Sequence, residues 1–235
     1  MRLSNAAKAA LPVASIGATF LLFPPIEALG FTAMASSLGG AYLQGRKNRL
    51  SGKSDDVSLP TWAISYTGDA SWYAYGLATK MPPIIAANVL SLFLKARVIS
   101  QKMPHWGEVK KSEFLSVPFK LTAAYLAVAA AGAAICHLCN FDGILKYTEQ
   151  LAGIAGTVLG IAAAYPQAFK TWMSKRAEDI SLGAQSLLMI STVLWGAYGA
   201  FSGKFPILFT NAAAFPAFAA VLLMKIIFKN QNQGQ

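Results

Sequence analysis

"WYAYGLATKMPPIIAAN", residues 72–88, is answered later in the chain by "WGAYGAFSGKFPILFTN", residues 195–211. Trp, Tyr-Gly, Pro-Ile and Asn stand at matching places in both. A shift of 123 residues extends the match without a gap over 41–88 and 164–211, where fifteen of the 48 positions are identical. The identities include Ala41/Ala164, Tyr42/Tyr165, Gln44/Gln167, Lys47/Lys170, Asp56/Asp179 and Ser58/Ser181. Self-similarity at a fixed offset marks a duplicated structural unit, so the chain is two copies of one element set.

Composition says what solvent those units meet. Of 235 residues, 55% are hydrophobic and only 13% charged, against roughly 25% charged in an average soluble domain. A hydrocarbon core about 30 Å thick needs about 20 helical residues to cross it. Apolar runs of about that length fall at 26–44, 59–78, 82–99, 114–137, 149–169, 181–201 and 206–228. The fold class expected is an all-α membrane protein with seven transmembrane helices. A further apolar stretch at 9–23 reads as a signal-like, interfacial or additional helix, and the retained helix is favoured because no small-residue cleavage site follows it.

The formal charge of +10 is spread over short connections rather than gathered into a groove interleaved with aromatics, which argues against a nucleic-acid partner. Lys and Arg are dense in the connections after the first, third and fifth spans and after the seventh, and sparse in the others. That bias places the dense set, and the C-terminus, in the cytoplasm. Cys136 and Cys139 flank His137 in "AICHLCNF", but no second ligand pair accompanies them, so packing is the expected role and no metal or other cofactor is. An enzyme is not expected either, since the spans hold no nucleophile–base set and no phosphate loop.

Each copy holds three spans, and one span separates the copies. Two three-helix units joined directly would lie inverted in the membrane. A single intervening helix restores one orientation, giving parallel repeats about an axis along the membrane normal, with a site expected between them. The expected organisation is an N-terminal segment (1–25), a first three-helix repeat (26–100), a loop and linker helix (101–148), a second repeat (149–228) and a polar tail (229–235).

With "AYLQGRKNRLSGKSDDVSL", "YPQAFKTWMSKRAEDISL" and the doubled W-x-x-Y-G…N on the page, the chain resembles the SWEET sugar transporters of the wider PQ-loop (MtN3/saliva) clan over about residues 26–228. The resemblance implies a sugar pocket lined by Trp72 and Asn88 from one repeat and Trp195 and Asn211 from the other. The chemistry suits it: indole stacks on the C–H face of a sugar, and an amide both donates to and accepts from hydroxyls. The resemblance further implies proline hinges in the first helix of each repeat. Pro166 fits; its counterpart is Leu43, so Gly39 and Gly40 are the expected source of flexibility there, with Gln44 and Gln167 satisfying backbone groups freed at the kinks.

Asp69 lies one turn before Trp72 and on the same face, and its repeat counterpart is Thr192. Three roles are open to it: binding solute hydroxyls, carrying a coupling proton, or a capped structural group. The leading expectation for the whole is a carrier of a small neutral polar solute, a mono- or disaccharide, working by alternating access. The alternatives are a proton-coupled amino-acid or organic-acid carrier using Asp69, and a non-transporting receptor of the same fold. The neutral solute is preferred because no mid-span Lys or Arg is recognised, Lys120 being the nearest candidate. The partners expected are that solute and the lipid bilayer; a homo-oligomer is compatible but not required.

Overall fold

The computed structural model describes residues 24–102 and 111–231, with side chains over 24–99 and 123–228. These residues form seven helices and no strand: α1 (Pro25–Ser51), α2 (Leu59–Thr79), α3 (Pro82–Lys102), α4 (Lys111–Leu138), α5 (Asp142–Ser174), α6 (Leu182–Phe201) and α7 (Phe205–Gln231). Each matches one of the seven apolar spans. The segment 9–23 lies outside the described residues.

Helix ends follow local chemistry. Ser58 and Ser181 cap α2 and α6, their hydroxyls accepting from Thr61 N and Ala184 N at 3.3 Å each. The sequence pattern suggests Asp56 and Asp179 for that task, but both carboxylates are used elsewhere, as described below. Helix α5 begins at Asp142, two turns before the apolar span that announced it, because helical backbone continues past the hydrocarbon-length stretch that hydropathy detects. Glu149 is therefore inside a helix rather than at its start, and it pairs with Lys204 at 2.9 Å.

The two sets of three helices share one packing order. Helix α3 sits between α1 and α2, and α7 sits between α5 and α6. Between the sets, α2 lies along α5 and α1 along α6, so six helices close a ring in which each set meets the other twice. Helix α4 stays outside the ring and, among the described residues, touches only α2, α3 and α5. Sharp hairpins join the second and third helices of each set. At the α6–α7 hairpin a Cβ on Gly199 would stand 2.5 Å from Leu208 N, so only glycine fits that approach.

The burial pattern is that of a protein in lipid. Gln44, Asn48, Asp56, Asp69, Asn88, Gln167 and Asp179 are all buried, while Leu151, Ile154 and Val158 form an exposed apolar stripe on α5 at 68%, 63% and 60%. Small residues (Ala28, Ala33, Ser36, Gly40, Ala163, Ala164) fill the helix interfaces and let backbones approach. By length and composition alone, α3, α5 and α7 can cross a bilayer. Helices α1 and α2 carry more polar groups, of which Ser36, Gln44, Asn48 and Asp69 are buried. The chain is an integral, all-α membrane protein.

At the Lys/Arg-rich end the two sets clasp one another reciprocally. Gln44 on α1 donates to Asp179 O at 2.9 Å and accepts from Ser181 N at 2.9 Å. Gln167 on α5 does the same to the other loop, donating to Asp56 O at 2.9 Å and accepting from Ser58 N at 2.7 Å. Asp56 N donates to Asp179 Oδ2 at 3.3 Å, and Asp179 N to Asp56 Oδ2 at 3.1 Å. Lys47 and Lys170 donate to the carbonyls of Ile180 and Val57 at 2.9 and 3.1 Å. Every one of these bonds joins the first helix or loop of one set to the loop of the other.

Candidate functional site

A cavity of ≈ 210 Å³ lies inside the ring, lined from α1, α2 and α3 on one side and α5, α6 and α7 on the other. Trp72, Asn88, Trp195, Asn211 and Asp69 all line it. Residues 123 positions apart thus meet across one space.

The matching positions are built alike. Asn88 Nδ2 donates to Ile84 O at 2.7 Å and Asn211 Nδ2 to Ile207 O at 2.8 Å. Each bond turns an amide back on its own helix and fixes its rotamer. One N–H of each amide is used, leaving the amide oxygen and a second N–H for the cavity. Trp72 meets Tyr75 edge-on with ring centroids at 5.3 Å, and Trp195 meets Tyr198 the same way at 5.5 Å. Each tyrosine then packs on a glycine of the other set: Tyr75 on Gly153, Tyr198 on Gly30. Tyr75, Tyr198, Met81, Ile84 and Ile207 form a buried apolar cluster that closes this end of the cavity, opposite the reciprocal clasp.

Gly39 and Gly40 lie in α1 and Pro166 in α5, the first helix of each set. Gly39 and Gly40 face α6, where a Cβ on Gly40 would stand 2.8 Å from Leu188 Cγ and 3.1 Å from Ala184 O. They permit close packing between the sets. Helix α5 runs unbroken through Pro166. Gln44 and Gln167 do not serve carbonyls freed at a kink; they hold the opposite loop, because their side chains project from the face where the sets meet. His137 Nε2 lies 3.1 Å from Leu77 O, and among the described residues no group of His, Cys, Asp or Glu is placed to hold a metal.

One cavity residue escaped the sequence reading. Lys95 on α3 reaches Asp69 Oδ1 at 2.7 Å and Ser65 Oγ at 2.5 Å, and it lines the cavity. The expectation that no basic side chain lies within a span is therefore corrected. Lys95 is seven residues after Asn88 and four after Ser91, so the three share a helical face, and that spacing was the available signal. Its charge is offset by Asp69, which leaves the cavity wall neutral as a pair. The side chain of Lys120 is outside the described residues.

Comparison with known proteins now bears on this arrangement. The family model of the PQ loop repeat matches residues 149–208, which include the clasp of the second set and both Trp195 and its hairpin. A protein of Bradyrhizobium diazoefficiens named "Sugar transporter SemiSWEET" is 32% identical over 77 residues, covering 90% of that relative and 33% of this chain. The chain belongs to the SWEET/PQ-loop family. The ring that α1–α3 and α5–α7 close is assembled here by covalent linkage through α4.

Proposed function

We propose that this PQ-loop protein carries a small neutral polar solute, a mono- or disaccharide, through its membrane by alternating access. The observation that carries the reading is the convergence of two Trp–Asn pairs, one from each repeat, on one cavity between the repeats. Two indoles offer apolar faces for a sugar ring, and two amides with committed rotamers offer donors and acceptors to its hydroxyls. The relative named as a sugar transporter supports the same solute class. The clasp of Gln44, Gln167, Asp56 and Asp179 acts as the gate on the cytoplasmic side, where the Lys/Arg-rich loops lie. The cluster around Tyr75 and Tyr198 acts as the gate on the opposite side. Opening one while the other stays shut requires only that the repeats rock about the cavity between them.

Proton coupling is the less favoured alternative. Asp69 is already paired with the Lys95 ammonium at 2.7 Å, and the matching position of the second repeat, Thr192, carries no acid. The test is uptake of radiolabelled glucose and sucrose into proteoliposomes, with and without an imposed proton gradient. Saturable uptake indifferent to the gradient is expected, reduced about tenfold or more in Asn88→Ala and in Asn211→Ala, as for loss of one buried solute hydrogen bond of about 1.4 kcal/mol. Absence of sugar uptake by well-folded protein sinks the proposal. Uptake that needs the gradient and disappears in Asp69→Asn transfers it to the coupled carriers.

A further inference from the structure

The cavity is symmetric in its Trp, Asn and Ile84/Ile207 and asymmetric along one wall. Ser65, Asp69, Ser91 and Lys95 line it from the first repeat. The positions 123 residues on, which line it from the second, are Leu188, Thr192, Ala214 and Phe218. One wall is ionic and hydroxylated. The other is apolar, for Thr192 turns its hydroxyl back to Met189 O at 2.7 Å.

The ionic wall is not needed to hold the helices together. A buried ion pair is often neutral or worse for stability than well-packed apolar groups of similar volume, and the second repeat shows the same framework accepting Thr and Phe at those places. Nor is the pair saturated. Lys95 Nζ has three N–H groups and commits two, to Asp69 Oδ1 and Ser65 Oγ. Asp69 Oδ2 is buried with no hydrogen-bond partner among the described residues, although Ser91 stands beside the carboxylate. Lys95 lines the cavity with one N–H uncommitted, and Asp69 lines it beside Lys95 as a carboxylate whose oxygens can each accept more than one hydrogen bond.

We propose that Asp69 and Lys95 form a fork for two adjacent hydroxyls of the solute, while Leu188 and Phe218 opposite receive its C–H face. One hydroxyl accepts from Lys95 as its neighbour donates to Asp69. The solute class is then a polyol with a vicinal diol, bound in one orientation despite the two-fold repeat. A solute carrying a net charge is disfavoured, because it must compete with one member of the pair for the other. This inference rests on the sugar-carrier reading and names what that carrier discriminates.

The experiment measures how well glucose and its 2-, 3-, 4- and 6-deoxy analogues, together with gluconate and glucosamine, inhibit glucose uptake in proteoliposomes. The proteins are the parent and the double variant Asp69→Thr/Lys95→Phe, which copies the second repeat and removes both charges at once, with folding checked by thermal melting. For the parent, two analogues lacking adjacent hydroxyls are expected to inhibit about tenfold more weakly than glucose. In the double variant glucose itself is expected to bind about tenfold more weakly, so that difference should shrink to about twofold or less. A purely structural pair would not change the ranking of analogues. Equal inhibition by every analogue in the parent, an unchanged ranking in the variant, or gluconate or glucosamine outcompeting glucose overturns the fork while leaving sugar transport standing. Absence of any sugar uptake by the folded parent overturns both readings together.

Discussion

Trp72, Asn88, Trp195 and Asn211 show how far a single residue type at a single spacing reaches. The sixteen-residue interval from Trp to Asn places the pair on facing sides of a helical hairpin, and duplication supplies the second pair. Glycines at the hairpins are equally local and give a direct test. Gly199→Ala forces a methyl to within 2.5 Å of Leu208 N, a backbone atom that cannot yield, whereas Gly132 on α4 has nothing within 4 Å of an added Cβ. Gly199→Ala should lose about 1–3 kcal/mol or fail to fold. Gly132→Ala should be neutral or gain about 0.5–1 kcal/mol from helix propensity. Melting of the two variants in detergent, read against the parent, checks both. Lys95 marks the limit at this scale. A charge inside an apolar span is averaged away by any hydropathy window, and its pairing with Asp69 depends on how α2 meets α3, which no spacing along one helix records.

At the scale of elements, seven helices were legible because apolar length and proline, serine and glycine punctuation declare them. Their ends were less so. Asp56 and Asp179 have the residue type of helix caps, but the serines two positions on perform that task and free the aspartates to reach across the repeat axis. Gln44 and Gln167 likewise looked like kink residues and proved to be rivets between repeats. Each glutamine satisfies one backbone carbonyl and one backbone N–H of the opposite loop. Removing either leaves those groups without their partner, at about 1–3 kcal/mol each for a buried site. Gln44→Ala and Gln167→Ala should therefore lower the melting temperature by similar amounts, since the two clasps mirror each other. The double variant should also expose a cysteine introduced at Ala184 to a membrane-impermeant thiol reagent from the clasp side in proteoliposomes, at a rate clearly above that in the otherwise native protein. Equal labelling in both would show that the clasp is not what closes that end.

Over the whole molecule, the ring is held by contacts of α1 with α6 and α2 with α5, and α4 lies outside it. We propose that its task is orientation, since an odd helix between two three-helix units makes them parallel. Once both units are inserted, continuity of the chain at the α3–α4 connection should matter little. Co-expressed fragments 1–110 and 111–235 are expected to copurify and to restore uptake to within about an order of magnitude of the intact chain. Either fragment alone should give none, because each supplies only half of the cavity. Copurification can be followed with a tag on one fragment.

The sequence by itself determined the solvent and the duplication, because each is a property of composition or of spacing within one segment, and its family resemblance pointed to the four paired cavity residues. Hydrophobic length is read residue by residue, and a repeat is read by sliding the chain along itself. Only the tertiary structure decided who faces whom. The Asp69–Lys95 pair, the reciprocal grip of Gln44 and Gln167, and the seating of Tyr75 on Gly153 and Tyr198 on Gly30 each join residues from separate helices. Hydrogen bonds and ion pairs act over about 3 Å and depend on direction. They are therefore fixed by how helices cross, which is a property of the folded ring and not of any stretch of the chain.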